Sequence, residues 1–566
     1  MQRFVNIIWV ALTLCLGGSV LAQKPAKTRN QESYTKALDI VGASMSLLDR
    51  YFVDSVDLER ISRRGIDAML SSLDPYTEYY SKEDNEQLKL ITTGEYGGIG
   101  SIISQRPDST VIINDPMEGM PAAQAGLKAG DRILEVDGQN FRKATSDVVS
   151  KALKGKPGSK ISLLIQRLGE SKPRKVEFTR RKIMVNPVPY YGVTPAGYGY
   201  IKLTNFPNTA ATEVRRAMTE LQKTQKINGL VLDLRDNGGG LMEEAVKIVS
   251  FFVPEGTEVL RTKARAELKQ EAVYRTRSKP IYPDLPLVVL IDGQSASSAE
   301  IVAGALQDVD RAVVVGQQSF GKGLIQTTMQ LPHQGVLKLT TAKYYIPSGR
   351  CIQRINYKEA RAGREAELPD SLTKIFHTAA GREVHDAGGI LPDVKAEVDS
   401  LPTMLYYLTY NESAFDWITT YAQRHKTIAP PASFTVSDAD YNDFGRMLIE
   451  KKFDYDRQSA KRLVTLKEIA KLEGYLERVA PLIDSLEQAL KPDLKHDLES
   501  LRPHIMRFLN TSIINRYYYR RGVIERELLS DQIVAEADRL LADQARYQAI
   551  LRPKKKDEKK KELADA

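Results

Sequence analysis

Short strands of the buried type at residues 230–234, 287–292 and 312–316 alternate with helical stretches at 211–224, 243–252 and 299–307. Strands spaced by helices of that length imply α/β layers, and few other folds accommodate them. The pattern, with a further strand at 198–203, assigns residues 184–395 to an α/β core.

The flanking segments differ in kind. Residues 34–86 carry apolar positions at helical spacing, Leu38, Val41, Met45 and Leu48, then Ile61, Ile66, Met69, Leu70 and Leu73, before Asp74-Pro75 ends the pattern. Residues 87–183 hold β-rich runs at 101–104, 111–114, 132–136 and 160–167 between glycine turns, with one helix near 146–153, which suits a small β module. Residues 396–551 read as helical. One seam runs Leu466, Ile469, Leu472, Leu476, Val479, Ile483, Leu486, Leu490 and a second runs from Leu494 to Ile513. Both are expected to be bundle core rather than an intermolecular coiled coil, because only a few heptads are present. The fold class is multidomain α+β.

Residues 1–22 have the pattern of an export signal: Arg3, an apolar run over 4–16, a glycine break, and Val20-Leu21-Ala22 as a cleavage site. An uncleaved anchor is the alternative. Cleavage would remove Cys15 and leave Cys351, so no disulfide framework is expected. Residues 23–33 read as a linker and 552–566 as a Lys-rich disordered tail. The chain has 81 Lys+Arg against 72 Asp+Glu, net +9. Four of those charges fall in residues 1–30 and three in the tail, leaving two for the body. The basic balance therefore implies no nucleic-acid partner. A mean hydropathy of −0.34 excludes a polytopic membrane protein.

Motifs at three places suit chemistry. Asp233-Leu-Arg-Asp-Asn-Gly-Gly-Gly240 follows a strand and bares backbone N–H groups, or is an ordinary glycine turn. Gln294-Ser-Ala-Ser-Ser-Ala-Glu300 joins a strand to a helix, where a serine can be exposed beside oxyanion donors or can simply cap the helix. Gly316-Gln-Gln-Ser-Phe-Gly-Lys322-Gly323 matches a phosphate-cradling loop except at its last position, where Gly323 replaces the magnesium-binding Ser or Thr. A lysine desolvated in such a loop can instead act as a general base. The six histidines lie outside these motifs, and there is no H-E-x-x-H or comparable metal cluster.

Together these motifs resemble the carboxyl-terminal processing peptidases, or tail-specific proteases, which are Ser/Lys-dyad serine proteases with a PDZ domain. The resemblance runs from about residue 34 to 394. It includes Leu73-Asp-Pro-Tyr-Thr77, Phe320-Gly-Lys-Gly323, Tyr345-Ile-Pro-Ser-Gly349 and Gly389-Ile-Leu-Pro-Asp393. It implies a ClpP/crotonase-like serine protease core between a PDZ-like module and a helical C-terminal region. The family nucleophile falls on Ser297, the general base on Lys322 and the lysine-orienting glutamine on Gln326. The oxyanion hole falls on the N–H groups of Gly239 and Ser298. Ser298-Ala299 departs from the Ala-Ser of many members, so Ser298 is a second nucleophile candidate. Asp308 matches an acidic position and is expected to be structural. In the PDZ-like module, Tyr96, Gly97, Gly98, Ile99 and Gly100 precede a strand to which a substrate C-terminus can add, its carboxylate captured by the N–H groups.

The resemblance implies no cofactor or metal. It implies protein or peptide C-termini as substrates, and the N-terminal signal pattern predicts an exported, periplasmic or envelope-associated enzyme. Residues 396–551 are candidates for adaptor binding or self-association, and the tail for peripheral envelope contact. The competing reading is a non-catalytic PDZ scaffold on a protease-like core. Against it, Ser297, Lys322 and Gln326 are all present.

Overall fold

The computed structural model describes residues 31–82, 84, 93–268, 270–361, 367, 373–396 and 401–552. The expected export signal, most of the linker and nearly all of the Lys-rich tail lie outside these residues. Among the described residues, those before Tyr76 form one compact unit and those from Tyr76 onward another. In the first, helices Gln31–Tyr51 and Leu58–Ser71 are amphipathic, and the Asp57 side chain caps the second by accepting from Arg60 N at 2.9 Å. The second helix ends at Ser71, just before the expected proline turn. After Asp74-Pro75 the chain becomes strand Glu78–Tyr80 and joins a sheet.

The core sheet has six strands in the order Tyr190–Val193, Gly199–Lys202, Leu230–Asp233, Leu287–Ile291, Val313–Gly316 and Val394–Lys395. The first pair is antiparallel and the rest are parallel. Parallel strands need both faces covered, which is why they are nearly continuous in apolar residues. Leu230, Leu232, Val289 and Ile291 pack under helices Ala210–Gln225, Met242–Val249 and Ser298–Asp308. Val231, Val288, Leu290 and Val313 face the opposite way and are covered by Ile524, Val534, Ala537, Leu540 and Tyr547. The last helices of the described chain, Gln532–Ala542 and Gln544–Leu551, thus pack on the α/β core sheet. The Tyr547 hydroxyl accepts from Leu287 N at 2.9 Å and donates to Leu287 O at 3.0 Å.

A second, antiparallel sheet carries Leu324–Gln330, Val336–Tyr345, Glu258–Ala264, Glu271–Arg275 and Glu78–Tyr80. The β module has the edge strand Ser101–Gln105, then Val111–Pro116, Arg132–Val136, Lys160–Gln166 and Arg174–Thr179, with helix Ser146–Leu153 beside the edge. Arg106 of this module pairs with Asp416, and Arg516 donates to Asn114 O at 3.1 Å. Both guanidiniums lie near the Phe415 ring, 5.7 and 4.6 Å from its centroid. Burial pulls Arg516 down to about 10.

The first C-terminal seam departs from the expected bundle core. The chain reverses at Gly474, which has a φ of +77°, so Gln458–Leu472 and Leu476–Ala489 form a hairpin. Leu466, Ile469, Leu472, Leu486 and Leu490 are exposed, while Ile483 is buried. The second seam is core: Leu498, Ile505, Leu509 and Ile513 pack with Met404, Ile418, Phe444 and Leu448.

Candidate active site

The wholly buried strand Leu287–Ile291 delivers the serine-rich turn to the end of the core sheet. Asp292 shapes that turn by accepting from Gln294 N and Ser295 N, both at 3.0 Å, and from Asp236 N at 3.1 Å. Ser295 is buried and donates to Leu234 O at 2.8 Å; Ser298 is buried and donates to Gly240 O at 2.9 Å. Ser297 is half-buried and has φ +56° and ψ −115°, a conformation costly for any residue with a side chain. A strained strand-to-helix turn of this kind raises a serine hydroxyl clear of its surroundings.

The 236–240 loop closes on this turn. Ala296 N donates to Asn237 O at 2.9 Å. A Cβ at Gly239 would lie 2.7 Å from Ser297 Cβ and 2.8 Å from Ala296 O, so only glycine fits. Gly239 also has a φ of +96°. Of the two expected oxyanion donors, Ser298 N opens helix Ser298–Asp308, where the first N–H groups have no partner within the helix. Gly239 N donates within its own loop, to Asn237 Oδ1 at 2.9 Å, while Asn237 Nδ2 is anchored on Leu203 O at 2.8 Å.

Lys322 arrives on the opposite loop. Its backbone N–H donates to Glu300 Oε2 at 2.9 Å, and Gly321 N donates to Glu300 Oε1 at 2.7 Å. Ser319 Oγ donates to the same Oε1 at 2.6 Å, and Ser297 N to Oε2 at 2.8 Å. Glu300 therefore gathers four donors and ties the serine turn to the lysine loop. The spacing S-x-x-E forecasts the contact to Ser297 N, but not the donors from 319–322. Burial pushes the Glu300 carboxyl up from its ordinary value, and the four donors pull it back only in part. The same bonds dispose of the phosphate-loop resemblance. The N–H groups of Gly321 and Lys322 go to Glu300 and that of Gly323 to Gln353 Oε1 at 2.7 Å, so no open cradle remains.

The Lys322 ammonium lies over the Tyr76 ring, 4.1 Å from its centroid. Gln326 follows at a register shift in strand Leu324–Gln330, and its Nε2 donates to Thr340 Oγ1 at 3.2 Å. Asp308 forms a fully buried ion pair with Arg350 at 2.9 Å and accepts from Ser348 N at 2.9 Å, which fixes the turn after Tyr345. Among the described residues, no group of three or more His, Cys, Asp or Glu side chains is placed to hold a metal.

Beneath the 236–240 loop, Asp233 is buried among Tyr200, Lys202 and Arg235. Burial alone would raise its carboxyl, but Arg235 and Lys202 outweigh it and hold Asp233 well below the usual carboxylate range. Arg235 also reaches Asp531 at 2.7 Å, and Asp531 caps helix Gln532–Ala542 through Ile533 N and Val534 N. A cavity of about 320 Å³ opens there.

In the β module, Tyr96, Gly97 and Gly98 pair with Ile183, Lys182 and Arg181. Ile99 is buried, and Gly100 takes a φ of +70° as the chain enters the edge strand. That strand has one open side, next to helix Ser146–Leu153. Gln105 closes its far end by accepting from Ser146 N at 3.2 Å. A cavity of about 590 Å³ adjoins Tyr96 and Gly97, lined by Lys151, Lys154, Lys156 and Lys182 together with Glu95.

Residues 197–359 match the family model described as Peptidase family S41. Residues 112–167 match a PDZ domain, and 404–541 match the C-terminal helical domain of probable PDZ-proteases. The chain is 36% identical over 356 residues to the carboxy-terminal-processing protease of Bartonella bacilliformis, covering 62% of this chain and 80% of that one. It is 34% identical over 337 residues to the carboxyl-terminal-processing protease of Picosynechococcus, covering 59% and 73%. Among solved structures, the photosystem II D1 C-terminal processing protease is 28% identical, with a TM-score of 0.37 over 68% of this chain and 93% of that one.

Proposed function

This chain belongs to the carboxy-terminal-processing proteases, and we propose that it is an exported endopeptidase using Ser297 as nucleophile, Lys322 as general base and Gln326 to orient the lysine. The observation that carries this reading is the shared anchor: Ser297 N and Lys322 N both donate to Glu300 Oε2. Of the serines in the turn, Ser295 and Ser298 are buried with their hydroxyls spent on carbonyls, which leaves Ser297 as the reactive one.

A neutral Lys322 takes the Ser297 proton as Oγ attacks the scissile carbonyl. The N–H of Ser298 receives the developing oxyanion, and Gly239 N–H turns to it from Asn237 Oδ1. The Lys322 ammonium then protonates the leaving amine. Water, deprotonated by the same lysine, releases the acyl-enzyme. Gln326 orients the amine without adding a negative charge that would trap its proton. The substrate tail adds to the open side of strand Ser101–Gln105, its carboxylate directed to the loop of Tyr96, Gly97, Gly98, Ile99 and Gly100.

Cleavage of an unstructured, tail-tagged substrate tests the reading. Ser297→Ala and Lys322→Ala each abolish cleavage with the fold intact. Full activity in Lys322→Ala sinks the dyad.

A further inference from the structure

The segment Leu73-Asp-Pro-Tyr-Thr77 has no task in the mechanism above, yet from the start of the second unit Tyr76 reaches Lys322 and Thr77 reaches Thr340, the partner of Gln326. The Tyr76 ring lies 4.1 Å from Lys322 Nζ. The ring is itself held edge-on by Tyr357, with centroids 6.0 Å apart and hydroxyls 3.3 Å apart. Thr77 is buried and accepts from Thr340 N at 3.3 Å; its hydroxyl lies 3.4 Å from Thr340 Oγ1, the atom that receives Gln326 Nε2.

We propose that Tyr76 is a positioning residue that supports the Lys322 ammonium while Ser297 is being acylated, with Thr77 holding Gln326 in place through Thr340. The inference rests on the dyad reading. In the attack step the Ser297 Oγ–H bond breaks, an Nζ–H bond forms on Lys322, and the lysine becomes a cation. An aromatic face attracts that cation through its quadrupole. The ring carries no net charge, so it favours the charged lysine far less between turnovers than a carboxylate would. Support that is greatest when the charge appears lowers the barrier. The other charged and titratable groups around Lys322 have their own partners. Glu78 pairs with Lys338 at 2.7 Å and accepts from Tyr80, and its charge also acts on Lys322. Glu300 takes the Lys322 backbone, Tyr344 donates to Ser297 O at 3.3 Å, and Arg354 lies over Phe320.

Tyr76→Phe and Tyr76→Leu separate the ring from the space it fills, with Tyr76→Met as a second ringless variant should the leucine chain not fold. The expected result is kcat within about threefold of wild type for Phe and a fall of roughly tenfold for Leu and Met, with KM nearly constant. The ring favours the charged lysine, so its loss moves the acid limb of the pH profile of kcat/KM to lower pH. A second readout needs no catalysis. In the Ser297→Ala background, pulsed acetylation followed by peptide mass spectrometry gives the pH at which Lys322 becomes reactive, and this too falls in the ringless variants. Ringless variants with wild-type kcat and unmoved limb and labelling, alongside an inactive Lys322→Ala, overturn the role of Tyr76. Activity that survives Lys322→Ala overturns the dyad reading and removes this inference with it.

Discussion

Ser297 and Lys322 hang from one oxygen: their backbone N–H groups donate to Glu300 Oε2 at 2.8 and 2.9 Å. Two loops 25 residues apart in sequence are thereby set against each other by one buried side chain on the helix that follows the serine.

Glu300→Gln tests that anchor. An amide offers one acceptor oxygen and turns a donor toward two of the four donors now satisfied. Each lost charge-assisted bond costs about 1.5–3 kcal/mol. The expected outcome is a fall of about 100-fold or more in kcat, with peptide affinity for the PDZ module unchanged. Steady-state cleavage and tail-peptide titration measure the two separately.

Ser298→Ala distinguishes the adjacent serines. Its hydroxyl serves Gly240 O, so removal costs about 1 kcal/mol of local order and leaves most of the activity. Labelling with a serine-directed fluorophosphonate should persist in Ser298→Ala and vanish in Ser297→Ala. The reverse result would exchange their roles.

Asp233→Asn leaves Lys202 without its buried counter-charge and Arg235 with Asp531 alone, at a cost of about 3–5 kcal/mol. The Asp233 carboxyl is depressed on folding from its ordinary value of 3.8. The stability it supplies is therefore full above that value and is lost as pH falls through the lower folded value. The gap between wild type and variant should be constant from pH 7 to 5 and narrow in more acidic buffer. Hydrogen exchange of the strand Leu230–Asp233 amides against pH follows it.

A substrate whose C-terminus is amidated loses the carboxylate that the loop of Tyr96 to Gly100 is proposed to receive. We expect KM to rise about tenfold with kcat preserved. Lys154→Glu, beside Tyr96, should weaken the free acid more than the amide. Equal effects on both would place the tail elsewhere.

What could be read from the sequence followed the range of the interaction. The core strands announce themselves because burial on both faces makes them apolar throughout, and the β module because its short runs sit between glycine turns. The antiparallel sheet around Lys322 escaped notice. Its strand Leu324–Gln330 is mostly exposed, and Glu78 pairs with Lys338 from far along the chain. The seam from Leu466 to Leu490 has core-like spacing, but periodicity does not reveal that the reversal at Gly474 leaves much of it facing solvent. At the site, the residue types and their order were legible. The engagement of Gly239 N by Asn237, and of Glu300 by the lysine loop, depends on how two loops meet in space.

The far face of the core sheet is roofed by helices made long after the strands beneath them. Synthesis at about 5–20 residues per second leaves an interval of roughly 7–30 seconds between Val394–Lys395 and Gln544–Leu551 before that face is fully covered. Arg235, at the root of the loop that approaches Ser297, also waits for Asp531. The loop that approaches Ser297 therefore gains its tie to Asp531 only after the core strands, the serine turn and the lysine loop have all been made.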